Sequence, residues 1–95
     1  MVNYFSMELN FSKNGNVYVA EFEASSDFNL HVERVGEGSL TVLQSGVSGG
    51  MYEQAYSVSR YNGLVFDRDF GALVYPKYIK VVSDNPVTNA TVTFA

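Results

Sequence analysis

Ninety-five residues suffice for one domain, because a chain this short buries only roughly 60–65% of the surface its unfolded form exposes and cannot divide that between two cores. With no cysteine and one histidine, His31, it excludes disulfides and a Cys/His zinc site, and a small domain without such staples gains stability by association. Six Lys plus Arg against ten Asp plus Glu give a net charge of −4, and the dispersed Lys13, Arg34, Arg60, Arg68, Lys77 and Lys80 do not build the basic patch that nucleic-acid binding needs.

Short segments of period-two alternation fill the chain, punctuated by Asn-Gly, Gly-x-Gly and Asn-Pro, the pattern of antiparallel strands with one buried face. The first strand is expected from Val2 to Phe11, with Phe5, Met7, Leu9 and Phe11 inward. Asn14-Gly15 turns it into Val17 to Ala24, which buries Tyr18, Ala20, Phe22 and Ala24 and exposes Glu21 and Glu23. Phe28 to Val35 places Phe28, Leu30 and Val32 inward against Asn29, His31 and Glu33. Gly36-Glu37-Gly38 leads to Leu40 to Gln44. Ser45 to Gly50 holds three glycines in six residues and reads as the most flexible stretch.

Met51 to Arg60 has no cleanly apolar side, which marks an edge or partner-facing strand, and Asn62-Gly63 turns it. Leu64 to Phe70 sets Leu64, Phe66 and Phe70 inward. Tyr75 to Ser83 follows, then Asp84-Asn85-Pro86, and Val87 to Phe94 closes the chain with Ala90, Val92 and Phe94 inward. About eight strands at this spacing predict an all-β chain: one antiparallel β-sandwich domain over residues 1–95, jelly-roll or immunoglobulin-like. A closed barrel is the second choice.

No catalytic or cofactor motif emerges along these strands. Gly46-Val47-Ser48-Gly49-Gly50 has the Gly-x-Ser-x-Gly spacing but lies in a loop of an all-β chain, without the strand-to-helix turn that makes a nucleophile elbow. Asp67 and Asp69 face one way on a strand and could converge on calcium, but calcium takes six or more oxygens; the plainer reading is a solvated face with Arg68 turned inward at an edge. His31 stands beside Glu33 on an outward face, where a near-neutral pKa suits a pH-sensitive contact or simple exposure. Asn10-Phe11-Ser12 and Asn89-Ala90-Thr91 match the glycosylation sequon, which matters only behind a secretion signal. The start Met1-Val2-Asn3-Tyr4 has neither the basic nor the apolar region of such a signal. No run approaches the ~20 apolar residues of a membrane span. The chain is therefore expected to be a complete protein made in a cytoplasm.

Seven tyrosines accompany seven phenylalanines, more phenols than a small core can supply with polar partners. Tyr52, Tyr56 and Arg60 fall on one face of the fifth strand and Tyr61 opens the next turn. Tyrosine and arginine anchor protein interfaces, and the same aromatic face can stack on sugar rings. If the register is one residue out, Tyr52 and Tyr56 are core residues instead.

The closing Tyr75-Pro76-Lys77-Tyr78-Ile79-Lys80-Val81-Val82-Ser83, Asp84-Asn85-Pro86 and Thr-rich Val87 to Phe94 resemble the last hairpin of small sandwich proteins in tailed-phage virions. Discoidin-type carbohydrate-binding sandwiches carry a similar Tyr-Ile-Lys-Val run. The virion resemblance implies a non-enzymatic capsid auxiliary or decoration protein, located in the virion, binding capsid proteins or seating fibres as a homo-oligomer, without cofactor, nucleic acid or membrane. The alternative is a small carbohydrate-binding domain using surface tyrosines. A third reading is an inhibitor-like binder that uses the Gly46–Gly50 loop.

Overall fold

Alternating side chains fold as the pattern requires, into two antiparallel sheets packed face to face. The computed structural model describes residues 5–36, 38–61, 65–71 and 77–95 and, for 59–61, the backbone alone. Nine strands run along these residues: β1 (Phe5–Glu8), β2 (Ser12–Asn14), β3 (Val17–Ala24), β4 (Phe28–Arg34), β5 (Gly38–Ser45), β6 (Glu53–Tyr61), β7 (Val65–Phe70), β8 (Lys77–Ser83) and β9 (Val87–Phe94). One sheet has the order β1-β9-β4-β7 and the other β2-β3-β8-β5-β6. The starts expected at Val2 and Tyr75, Leu64 and the Asn62-Gly63 turn lie outside the described residues, as does Glu37.

The pairings β1 with β9, β3 with β8, β4 with β7 and β5 with β6 nest inside one another. They describe a long hairpin rolled over itself, with β4–β9 and β5–β8 contacts added by the roll. Of the two topologies the spacing allowed, this is the jelly roll. Two separate sheets also set aside the barrel.

The dry layer between the sheets matches the inward sets closely. Phe28, Leu30 and Val32 of β4, Phe66 and Phe70 of β7, Ala90 and Val92 of β9, and Ala20, Phe22 and Ala24 of β3 are all buried. Leu40, Val42, Ile79 and Val81 complete the layer. Rings gather at one end, where Phe28 stands edge-on to Phe22 and stacks on Phe70, each at 5.2 Å.

The expected first strand is corrected. Its alternation is unbroken, yet the chain leaves one sheet after Glu8 and joins the other at Ser12. Leu9 makes the crossing, with its side chain buried and its N–H donating to Ala90 O at 2.9 Å. Phe5 keeps its parity and stacks beside Phe94, but β1 is an edge strand and leaves Phe5 66% exposed. A hairpin turn forms where expected but one residue later: Asn14 ends β2 opposite Val17, and Gly15-Asn16 make the turn, with Gly15 at φ +65°, a conformation that favours glycine.

Arg34 extends the inward set of β4 by one more step. It is buried, and its Nη1 donates to the carbonyl of Gly38 at 2.9 Å, tying the end of β4 to the start of β5. An arginine is a costly residue to bury unless its donors are met, and carbonyls at the start of β5 accept from its Nη1.

The fifth predicted strand is an edge, as its pattern implied: β6 pairs with β5 alone. Its tyrosines do not share a face. Val42 sits opposite Tyr56 and Leu43 opposite Gln54, so the register skips Ala55 in a β-bulge. One extra residue reverses every side chain beyond it. Tyr56 turns inward, half-buried, 5.6 Å from the Phe66 ring and 6.3 Å from Phe70. Arg68, turned inward from β7, covers the Tyr56 ring at 4.2 Å. Together they seal the seam between the two edge strands.

Two substitutions test this packing. Leu30 is fully buried, and Leu30→Ala should lower the unfolding free energy by about 2–5 kcal/mol in urea titration. Tyr56→Ala should cost about 2 kcal/mol by the same measurement, less than a full aromatic deletion because the ring is only half-buried. No loss at Tyr56 would return it to the surface.

Candidate functional site

With Tyr56 committed to the seam, the exposed aromatic chemistry lies on the outer face of the five-stranded sheet. Cross-strand pairing of β3 and β8 sets Glu21 opposite Lys80 and Glu23 opposite Tyr78. These four side chains point away from the core because Ala20, Phe22, Ile79 and Val81 take the inward positions. Tyr52, on the far side of the Ala55 bulge, joins them: its ring lies 4.4 Å beneath the Lys80 ammonium. The same ammonium is 3.5 Å from Glu21 Oε1.

The loop after β5 walls this surface into a groove of about 400 Å³, lined by Glu21, Glu23, Tyr52, Tyr78, Lys80 and the 48–50 backbone. The loop is folded, not merely glycine-rich. The buried Ser45 hydroxyl donates to Val47 O at 2.9 Å and accepts from Val47 N at 3.2 Å, and Gly50 N donates to the same carbonyl at 3.0 Å. Gly49 has φ +70°. At Gly50 a Cβ would crowd Val47 O at 3.0 Å and Ser45 Oγ at 3.1 Å, so the close turn would have to give by a few tenths of an ångström to admit one.

Of the residues expected at an interface, Tyr52 lies in the groove and Tyr56 in the seam, while the side chains of Arg60 and Tyr61 lie outside the described residues. Tyr78, Lys80, Glu21 and Glu23 were not singled out. The sequence did place Glu21 and Glu23 outward together, and it set Tyr78 and Lys80 in alternation on their strand. What it lacked was the β3–β8 pairing that makes them neighbours.

The outer face of the four-stranded sheet is a polar net. Asn29 Nδ2 donates to Asp67 at 2.7 Å and to Asp69 at 2.9 Å. His31 lies between Asp67, 2.9 Å from Nδ1, and Glu33, 2.9 Å from Nε2, and Asn89 reaches Glu33 at 3.4 Å. The two aspartates thus converge on an asparagine amide, not on a calcium-like cage. Among the described residues no group of three or more His, Cys, Asp or Glu is placed to hold a metal ion. No helix among them is long and apolar enough to cross a membrane.

No family model matches the sequence, and comparison with curated proteins finds no match. Solved structures of family 29 carbohydrate-binding modules are similar in fold. One shares 10% identity over 97% of this chain and 73% of its own, with a TM-score of 0.42. A mutant made to probe ligand recognition gives 10%, 97%, 71% and 0.42, and another mutant gives 10%, 96%, 74% and 0.41. At these values the likeness bears on neither ligand nor site.

The polar net titrates. Hydrogen bonds that the His31 ring donates to Glu33 and then to Asp67 raise its pKa above its ordinary 6.5. His31 lowers that of Glu33, aided by Asn89, while Asn29 and then His31 lower that of Asp67. Only the doubly protonated ring can donate to both carboxylates. Because the folded His31 pKa is raised, its stabilisation is complete below 6.5 and lost as pH climbs through the folded value. The lowered carboxylates give the opposite limb, stabilising above their ordinary range and failing as acid protonates them. The urea midpoint should therefore fall between about pH 6 and pH 8 in the native chain and stay flat in His31→Gln. Since His31 is the sole histidine, an equal fall in the variant would refute the assignment.

Proposed function

We propose that the chain is a non-catalytic binding module for a glycan, held in the groove on the five-stranded sheet. One observation carries the reading: two phenol rings, two carboxylates and an ammonium line a single open groove beside a tightly turned loop. Sugars present apolar C–H faces and a surround of hydroxyls. Tyr52 and Tyr78 offer apolar area with a polar tip, Glu21 and Glu23 accept hydrogen bonds, and Lys80 donates them. A volume near 400 Å³ suits one or two sugar rings on an open surface.

The carboxylates also decide what is refused. Glu21 already neutralises Lys80, leaving Glu23 as surplus negative charge on a chain of net charge −4. Strongly anionic polysaccharides are repelled on that account.

The capsid-accessory reading remains a second proposal; its surface would be the exposed Phe5 on edge strand β1. Sedimentation velocity separates the two, with a monomer favouring the glycan module and a concentration-independent oligomer favouring the virion protein.

Retention in affinity gels containing neutral and amino polysaccharides tests the glycan reading. Tyr78→Ala and Tyr52→Ala should each weaken retention about tenfold or more while leaving the urea midpoint within error. Unchanged retention in both variants would remove the groove from the function.

A further inference from the structure

The groove already holds one ammonium, the protein's own. At one end the Lys80 ammonium rests between the Glu21 carboxylate, at 3.5 Å, and the face of Tyr52, at 4.4 Å. This is the carboxylate-and-ring arrangement that recognises an ammonium group, where ion pairing and the negative ring face act together. One step along the same pair of strands, Glu23 stands opposite Tyr78. That second carboxylate and phenol are register partners on the same face, and among the described residues no basic side chain pairs with Glu23. Glu23 is exposed and Tyr78 half-buried, so both are open to a ligand from the groove side.

We infer that the groove selects a glycan bearing free amino groups, with a ligand ammonium seated on Glu23 against Tyr78 as Lys80 is seated on Glu21 against Tyr52. The inference rests on the glycan reading of the groove. A 2-amino sugar suits the site because one face of its ring is apolar while its equatorial ammonium projects from the edge. The ring can then lie along the phenols as the ammonium reaches the carboxylate. Acetylating that nitrogen removes the charge and adds bulk, so the carboxylate is left desolvated against an amide. Lys80 stays on Glu21 throughout.

Isothermal titration with a glucosamine oligomer, its N-acetylated counterpart and a neutral glucose oligomer, near pH 5.5 where the sugar amines are protonated, tests the idea. The native chain should bind the amino oligomer about tenfold more tightly than either of the others. Glu23→Gln keeps the shape of the side chain and its exposure, so it should fold normally. It should reduce the amino oligomer to the affinity of the acetylated one. Equal affinities for amino and acetylated oligomers, or a Glu23→Gln variant that keeps the preference, would overturn the amino-sugar inference while leaving the glycan reading intact. Binding of none of the three oligomers would overturn both.

Discussion

Everything in this protein depends on two apolar sheet faces closing against each other and excluding water. Leu30, Val32 and Val92 from one sheet and Leu40, Val42, Ile79 and Val81 from the other are almost fully withdrawn from water. No disulfide supplements them, since the chain has no cysteine. The layer therefore carries the stability, and it also dictates orientation. In a strand, choosing which residues go inward also chooses which go outward. Glu21, Glu23, Tyr78 and Lys80 face solvent because Ala20, Phe22, Ile79 and Val81 do not.

The two outer faces then diverge in kind. On the four-stranded sheet, asparagine, histidine and carboxylates satisfy one another, so the net is closed and its chemistry is spent internally on His31. On the five-stranded sheet the polar groups are only partly engaged. Lys80 is held, whereas Glu23 and Tyr78 are left facing a groove that the 45–50 turn walls in. Solvated polar groups beside half-buried rings in an open groove are available to a ligand, and those of a closed net are not.

Period two made most of the fold readable. It identified the inward residues of β3, β4, β7 and β9 and marked β6 as an edge strand. It failed where one residue changes the parity or where the chain changes sheets. The bulge at Ala55 separates Tyr52 from Tyr56, and nothing in Gln54-Ala55-Tyr56 announces it, because a bulge is fixed by the fit of two strands to each other. The crossing at Leu9 keeps perfect alternation while transferring the chain between sheets. The burial of Arg34 follows the alternation and was hidden only by its charge.

The site was less legible than the fold for a related reason. Glu23 and Tyr78 stand 55 positions apart in sequence and become neighbours only when β3 pairs with β8. Ser45 to Gly50 reads as freedom, yet Gly49 and Gly50 serve a tight turn that a buried serine hydroxyl holds. Local composition supplied the ingredients, and nested strand pairing assembled them.

The most direct measurement of the central claim is a map of backbone amide shifts as a soluble amino-sugar oligomer is added to the isotopically labelled protein. Perturbations confined to 21–23, 48–52 and 78–80 are the predicted result. Shifts centred instead on the Asn29–Glu33 and Asp67–Asp69 face, or on the β6–β7 seam, would contradict it.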